Sequence, residues 1–289
     1  MDISFILTLI IPGLAIGGIY ALVAAGITLI FSVMKVPNFA HGELYMLGAY
    51  VTFTILSFVQ VGFALAALGA AFVVGCVGLF FERLFRRFYG DMDALIFLGI
   101  GLIYLIDNVA TFVWTSQTRN INTGFQGTSV GVSGATIGVD ELVILSSSVA
   151  ITACLYLFVH KTRIGKMIRA TSEDSEVAQL MGINPRLMYP IVMFIAAMIA
   201  SFAGSLVGAR NGLYPTMGGL SVVQGFIVVT LGGLGSIIGA LCAGLLLGIA
   251  ENAVAIFFPG GVRIIFSMMV LIVVLMIRPN GLFGQREVT

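Results

Sequence analysis

Residues 160–188 read HKTRIGKMIRATSEDSEVAQLMGINPRLM, and they form the longest charged, helix-forming stretch of a chain that is otherwise mostly apolar. Five of the fourteen Lys and Arg residues and three of the thirteen Asp and Glu residues lie in this stretch. Arg163, Lys166 and Arg169 recur every three residues, which predicts a short helix with one basic face. Because apolar runs flank the stretch on both sides, we interpret it as a helical loop between two membrane spans.

A second short helix is predicted within the same loop. Thr171 or Ser172 can cap its N-terminus, and Thr171 together with Asp174 fits a capping box. Its acidic residues would lie in the first turn, where the helix dipole favours negative charge. Gly182 is the expected residue just past its C-terminus.

This second helix would carry a small apolar stripe. Val177, Leu180 and Met181 recur at the i, i+3 and i+4 spacing of one helix face. A capped amphipathic helix between two membrane spans needs a surface that buries its stripe. The sequence leaves two candidates for that surface, the cytoplasmic base of the protein itself and a soluble partner.

The composition places the rest of the chain in a membrane. Of the 289 residues, 59% are hydrophobic and only 9% are charged, which is too few charges to solvate the surface of a soluble domain of this length. We therefore predict an all-α, polytopic bundle in which residues 1–289 form one transmembrane domain. Membrane lipid is an expected partner, and the net charge of +1 argues against nucleic acid.

Apolar runs predict eight or nine spans, the count being open because the runs at 43–60 and 218–234 are short. The runs cover residues 5–33, 43–60, 62–81, 94–115, 142–159, 188–209, 218–234, 237–257 and 262–278. Eleven of the fourteen basic residues fall in segments 34–42, 82–93 and 160–187 or from Arg278 onward. With nine spans these segments all lie on the same side of the membrane, so that side is predicted to be cytoplasmic. The C-terminus and loop 160–187 would then be cytoplasmic. The polar loop 116–141 would be outside, and it could hold a short hairpin. With nine spans, the N-terminus would also be outside.

Small residues recur along several of these spans. Glycine accounts for 36 residues, and glycines spaced by four let helices approach closely in lipid. The candidate contact ridges are Gly13 and Gly17, Gly204, Gly208 and Gly212, and Gly244 and Gly248. The three cysteines lie in apolar runs and are interpreted as small core residues, not as metal ligands or disulfides.

Two breaks in the apolar pattern are candidates for a translocation path. Residues 35–43 read KVPNFAHGE, and residues 232–236 read GGLGS. Each is either an ordinary turn or a broken helix, and broken backbone at membrane depth is tolerated only where protein or a water-filled cavity surrounds it. The path residues predicted from these breaks are Asn38, His41, Glu43, Gly235 and Ser236.

Two acid–amide pairs, Asp107-Asn108 and Glu251-Asn252, interrupt other spans. Each lies roughly 20 Å from the cytoplasmic end of its span at the rise of an α-helix. Arg210 and Arg263 at outer span ends could pair with them. The pairs are therefore structural ion pairs, part of a substrate path or gate, or a proton relay, and all four residues join the predicted path.

The sequence offers no pattern for catalysis. It contains no G-x-x-x-x-G-K-[ST] phosphate loop, no G-x-S-x-G nucleophile elbow and no H-E-x-x-H metal motif. We therefore expect a protein that is not an enzyme and has no metal or other cofactor of its own. The N-terminus has no basic region or evident cleavage site, so the first span is expected to be retained.

Several segments together resemble the smaller permease of high-affinity branched-chain amino-acid ABC importers. They are GLAIGGIYALVAAGITLIFSVMKVPNFAHGELYMLGAY, KTRIGKMIRATSEDSEVAQLMGIN, GGLGSIIGALCAG and RPNGLFG. Within the second segment, Glu176, Ala178 and Gly182 match the Glu, second Ala and Gly of the loop by which such permeases contact their ATPase, and Val177 replaces the first Ala. The later hydrophobic-proline part of that loop pattern is not recognisable.

This resemblance implies a complex in the bacterial inner membrane. Its other members would be a second homologous permease, two ATP-binding cassette subunits that bind the ATP, and an extracytoplasmic amino-acid-binding protein. The residues expected to couple to the ATPase are Glu173, Asp174, Glu176, Val177, Ala178, Leu180, Met181 and Gly182, and those expected to dock the binding protein are Arg210 and Arg263. The alternatives are a permease for urea or short amides, a proton-coupled secondary transporter that uses Asp107 or Glu251, and a passive channel subunit.

Overall fold

The structure is a computed structural model that describes residues 3–124, 126–132, 134–258, 261–278 and 281–283. It is almost entirely helical. The helices are α1 (Ile3–Met34), α2 (His41–Phe58), α3 (Phe63–Phe85), α4 (Met92–Trp114), α5 (Val139–Lys161), α6 (Arg163–Glu173), α7 (Ser175–Leu180), α8 (Pro185–Asn211), α9 (Met217–Gly232), α10 (Ile237–Phe257) and α11 (Val262–Ile277), with one 3₁₀ turn at Arg86–Phe88.

A helix coincides with each of the nine apolar runs of the sequence. In the described part of the chain, six helices are long and apolar enough to cross a membrane, namely α1, α3, α4, α5, α8 and α10. The apolar helices α9 and α11 have only 16 residues each and are shorter than a full span, and α2, with 18 residues, is not among the six. The all-helical prediction is confirmed, and the count of eight or nine spans stays a prediction.

The loop at 160–188 contains the two short helices expected there, but the residue that caps the second is different. Helix α6 continues to Glu173, and Asp174 caps α7 by accepting hydrogen bonds from the amides of Glu176 and Val177, at 2.9 and 3.0 Å. The prediction of a cap at Thr171 or Ser172 is therefore wrong. Both hydroxyls bond to carbonyls of the preceding turn of α6 instead.

Gly182 ends α7 as the sequence predicts. Its φ of 84° lies in the left-handed region, where a side chain would be strained. Its amide donates to the Gln179 carbonyl at 2.9 Å and the Ile183 amide donates to the Ala178 carbonyl at 3.0 Å. These bonds close the helix and direct the chain back towards α8.

Helix α1 is the centre of the bundle and packs against α5, α8, α9 and α10. Glycines provide its closest contact, because a Cβ on Gly17 would lie 2.7 Å from the Leu245 Cα of α10. A Cβ on Gly204 of α8 would likewise clash with the backbone of Tyr45 in α2. The predicted ridges on α1 and α10, and Gly204 and Gly208 of α8, are thus confirmed as helix contacts, whereas Gly212 follows α8 and contacts loop 116–141.

A short antiparallel hairpin lies between α4 and α5. Its strands are β1 (Ser129–Val132) and β2 (Ala135–Gly138). Arg119, earlier in the same loop, forms a β-bridge with Leu213, which follows α8. The hairpin expected in loop 116–141 is therefore confirmed, and the loop is joined to the end of α8.

The glycine contact between α2 and α8 can be tested by a matched pair of substitutions. Gly204→Ala should destabilise the protein by on the order of 1–3 kcal/mol, because the methyl group would force two helix backbones apart. Gly219→Ala, also in a helix, has open space around the added methyl and should be neutral or slightly stabilising. Thermal unfolding of the purified protein in detergent compares the two. Equal melting temperatures for both variants would contradict the close contact.

Candidate functional site

The break between α1 and α2 folds back into the protein. Lys35, just after α1, has a positive φ of 54° and turns the chain. The His41 ring then lies directly against Gly26, eight residues or about 12 Å before the end of α1. Asn38, His41 and Glu43 have exposed fractions of only 5, 0 and 1%. These residues are therefore surrounded by protein and do not form an exposed turn.

Helix α9 begins directly against the beginning of α2. A Cβ on Gly218 would lie 2.6 Å from the Gly42 carbonyl oxygen, so the two backbones are in contact. The residues that precede the two helices, Ala40 and Thr216, make no capping hydrogen bond with their side chains. We call this contact, formed by Gly42, Glu43 and Gly218, the half-helix junction. Two helix N-termini, each with a partial positive charge, meet there inside the bundle, and the amides of His41, Glu43 and Met217 donate to backbone carbonyls three residues earlier.

The Glu43 carboxyl lies at this junction. Its Oε1 is 2.8 Å from the position that a Cβ on Gly218 would occupy. The same carboxyl is within hydrogen-bonding and electrostatic range of the Asp107 carboxyl on α4. The structure thus brings together two of the predicted path residues, which are 64 positions apart in the sequence.

Polar atoms without hydrogen-bond partners are concentrated around α2. They include both ring nitrogens of His41, Oδ1 of Asn38, the Tyr50 hydroxyl and, on the facing α8, the Ser201 hydroxyl. Asn38 makes one long contact, from Nδ2 to the Met193 sulfur at 3.8 Å. A buried polar group without a partner costs about 1–3 kcal/mol, so such a concentration is unfavourable for stability alone and is typical of functional sites.

The Glu251 carboxyl has the opposite environment. Its Oε2 accepts from the Tyr20 hydroxyl at 2.7 Å, and its Oε1 accepts from the Gln224 amide at 3.1 Å and from the Ser267 hydroxyl. The neighbouring Asn252 donates to the Leu9 carbonyl at 2.7 Å. These bonds join α1, α9, α10 and α11. Glu251 is therefore a structural contact point whose two carboxyl oxygens both accept hydrogen bonds.

The remaining polar residues predicted in the spans do not join the half-helix junction. Asn108 is exposed and donates to the Tyr104 carbonyl of its own helix at 2.7 Å. Arg210 bonds to Glu141 at 3.0 Å and lies 3.9 Å from Asp140, so its predicted pairing with Asp107 or Glu251 is wrong. Arg263 is within electrostatic range of Glu251, but among the described residues it forms no ion pair.

The second predicted break, at residues 232–236, lies at another level of the bundle. A Cβ on Gly235 would be 4.0 Å from the Cβ of Ser32, six residues or roughly 9 Å further along α1 than Gly26. Ser236 caps α10 by accepting from the Gly239 amide at 2.9 Å. The two predicted breaks therefore do not form one site.

The partner of the first break is instead the start of α9, which was not among the predicted breaks. Residues 212–219 read GLYPTMGG, and they lead from the end of α8 into the start of α9. Gly212 has a φ of 79°, and Pro215 precedes the new helix. A proline and three glycines within eight residues were the available signal for a broken helix.

Helix α7 exposes the stripe that the sequence predicts. The exposed fractions of Val177, Leu180 and Met181 are 54, 86 and 78%, and only Ala178 of this helix is buried. The apolar stripe is thus not covered by the described residues of the chain itself.

Comparisons with known proteins agree with the architecture and the sequence motifs. The family model described as "Branched-chain amino acid transport system / permease component" matches residues 9–277. The chain is 32% identical to the high-affinity branched-chain amino acid transport system permease protein BraD of Pseudomonas aeruginosa, over 99% of this chain and 98% of BraD. It is 33% identical to the permease protein LivH of Escherichia coli K12, over 96% of this chain and 94% of LivH.

Two more distant similarities extend this picture. The permease protein LivM of Escherichia coli K12 is 25% identical over 91% of this chain and 67% of LivM. Among solved structures, PsaBC from Streptococcus pneumoniae in complex with a Fab has a TM-score of 0.50 and 13% identity, covering 93% of this chain and 91% of that one, which supports the fold alone. The family match over almost the whole chain shows that this protein belongs to the permease components of branched-chain amino acid transport systems.

Proposed function

We propose that this chain is a transmembrane subunit of an ATP-driven importer and forms the path for leucine, isoleucine and valine. The observation that carries the proposal is the family match over residues 9–277, together with a short capped helix whose apolar stripe is exposed. A second homologous permease, two ATPases and an extracytoplasmic binding protein would complete the complex. ATP-dependent uptake of radiolabelled leucine by vesicles that contain the assembled complex tests the proposal, and its absence would contradict it.

The nine helices that coincide with the apolar runs would cross the membrane or line the path. Helices α2 and α9 would be the two half-helices of that path. Asn38, His41, Glu43 and Asp107 would form the polar part of that path near the half-helix junction. Gly235 and Ser236 would lie nearer the cytoplasmic end of α1. The walls of this path would be mostly apolar and would suit a side chain such as that of leucine. They would also bind the substrate weakly, so that it can be released.

Arg210 and Arg263 remain candidates for docking the binding protein from the outside. Arg210 already bonds to Asp140 and Glu141, so it contributes little free positive charge to the surface. Rim charges of this kind mainly tune the association rate and its dependence on salt.

Helix α7 would insert into a groove on the ATPase, with Val177, Leu180 and Met181 as the apolar anchors. Glu173, Asp174 and Glu176 would contact basic residues at the rim of that groove, and Ala178 and Gly182 would hold the helix on the permease. The high exposure of the stripe supports an intermolecular role over packing on the protein's own base.

We expect Leu180→Asp to abolish binding of the ATPase while the permease still folds, because the side chain makes few contacts within the chain. Leu180→Ala should weaken binding by roughly 2 kcal/mol, the contribution of burying one leucine. The measurement is the amount of ATPase retained per folded permease in a pull-down. Leu187→Asp serves as a control, since Leu187 is also exposed but lies outside α7. Unchanged retention by Leu180→Asp would exclude α7 as the coupling helix.

The orientation of the chain can be tested by labelling single cysteines in a variant without Cys76, Cys154 and Cys242. A cysteine at Thr123 should react with an impermeant reagent from outside, because the external loops carry few basic residues. One at Ser133, a residue outside the described ranges, should behave in the same way. A cysteine at Ser172 should react only after permeabilisation, and labelling of intact cells there would reverse the orientation.

A further inference from the structure

Helix α4 carries a row of exposed residues on the side that faces away from the rest of the bundle. The members of the row are separated by four and three residues in turn, which places them on one face of the helix. They are Phe97, Gly101, Tyr104, Asn108 and Thr111. The buried residues of α4 lie on the opposite face, and they are Leu95, Gly99, Leu102, Ile106 and Ala110. We call the exposed residues the outer row of α4.

The outer row lies within the part of α4 that would cross the membrane. Helix α4 is one of the six helices that are long and apolar enough to do so. At the rise of an α-helix, Gly101 lies about 14 Å from the start of α4 and Asn108 about 9 Å before its end. The hydrocarbon layer is about 30 Å thick, so both residues would lie inside it. A side chain at this depth contacts lipid unless another protein surface covers it.

The polar groups of the outer row are poorly suited to lipid. The Asn108 amide donates to the Tyr104 carbonyl of the preceding turn at 2.7 Å, but within the described ranges the Asn108 side-chain oxygen accepts no hydrogen bond. The Thr111 hydroxyl bonds to its own helix, whereas the Tyr104 hydroxyl bonds to no described residue. Polar side chains in membrane spans almost always face protein or water, because contact with lipid is costly.

Helix α3 shows that an exposed face of this chain need not be polar. It has 23 residues, as α4 has, and it also carries an exposed row at intervals of three and four. The members of that row are Leu65, Leu68, Phe72, Cys76 and Leu79. All of them are apolar, as contact with lipid requires. The difference between the two helices favours a protein surface as the cover of α4.

Gly101 adds a second, independent observation. A Cβ on this residue would meet no atom within 4 Å, so no contact inside the chain requires a glycine there. Glycine in the middle of a helix costs about 1 kcal/mol relative to alanine. In membranes, small residues at a helix surface let another helix approach closely, and intervals of three and four residues form the seam between two helices that cross at a small angle. The approach of a helix from outside the chain explains this glycine.

We propose that the outer row of α4 packs against a membrane helix of the second permease subunit. Gly101 would mark the closest approach, and the Asn108 side-chain oxygen would accept a hydrogen bond across the contact. The proposal rests on the proposed function, in which the ATPases and the binding protein lie outside the lipid and the second permease is the other membrane-embedded member. Homologous subunits related by an approximate two-fold axis offer the same surface to each other, so the facing helix would be the counterpart of α4.

Photo-crosslinking in the assembled complex, reconstituted in liposomes, tests the contact directly. Tyr104→p-benzoylphenylalanine places a reactive group on the outer row, and irradiation should give an adduct with the second permease. Phe72→p-benzoylphenylalanine on α3 is the matched control, since Phe72 is similarly exposed, and it should give adducts with lipid alone. Mass spectrometry identifies the adducts.

Two substitutions test the energetic contribution of the row. Gly101→Leu should lower the amount of second permease retained per folded chain by about tenfold, because the side chain would hold two helix backbones apart. Asn108→Leu should lower retention by about threefold, the effect of one hydrogen bond between helices in lipid. The melting temperature of this chain purified alone in detergent should not fall for Gly101→Leu, since the added atoms meet open space. Cys76→Leu, on the exposed face of α3, should leave retention unchanged.

Four results would overturn the proposal. The first is an adduct at Tyr104 that contains only lipid or a protein other than the second permease, and the second is unchanged retention in Gly101→Leu. A parallel fall of retention and melting temperature would make Gly101 a structural residue of this chain. Full retention with reduced leucine uptake would assign the outer row to the transport path. If the wild-type chain retains no second permease, the proposed complex itself fails, and the wild-type measurement distinguishes that outcome from the other four.

Discussion

The structure depends on one constraint, which is that every backbone amide and carbonyl inside a membrane needs a partner within the protein. A continuous helix meets this requirement by itself, whereas a helix that begins inside the bundle leaves its first amides unpaired. Here α2 and α9 both begin inside the bundle and meet end to end at Gly42 and Gly218. Such an arrangement is stable only when long helices surround it, and α1 and α8 provide that surrounding wall.

Glycine makes this wall possible. Helix α9 passes α1 where Gly225 would otherwise clash with Val23, and α2 passes α8 where Gly204 would clash with Tyr45. Close backbone contact substitutes for the hydrophobic driving force that is absent between helices in lipid. The same closeness means that a polar group placed at the junction cannot reach water, so its environment is set entirely by neighbouring side chains and helix ends.

Much of this architecture could be predicted from the sequence. Apolar runs predicted a helix in every place where a long one occurs, and the spacing of Gly13, Gly17, Gly244 and Gly248 indicated the α1–α10 contact. The exposed stripe of α7 followed from its periodicity, although its cap is Asp174 because the hydroxyls of Thr171 and Ser172 are satisfied within α6.

The site could be predicted only in part, because its parts are distant in the sequence. The pattern around Asn38 indicated a broken helix, but it gave no means of choosing between the turns at 232–236 and 212–217 as its counterpart. The acid–amide pairs Asp107-Asn108 and Glu251-Asn252 look alike in sequence, yet the structure gives their acids different neighbours. Only side-chain contacts across helices could separate them.

The difference between Glu251 and Glu43 explains how one fold combines rigidity and function. Glu251 receives hydrogen bonds from Tyr20, Gln224 and Ser267, so its charge is compensated by donors on three other helices and holds them together. Glu43 is buried beside the starts of α2 and α9 and lies within hydrogen-bonding range of the Asp107 carboxyl, so a single proton shared by the two acids removes their repulsion. Natural proteins keep buried polar groupings of this kind at functional sites, and they stabilise the surrounding structure elsewhere. Gln224 lies in the middle of α9, so its hydrogen bond to Glu251 at 3.1 Å holds α9 against α10, while Gly218 at the start of the helix is held by its backbone contact with Gly42.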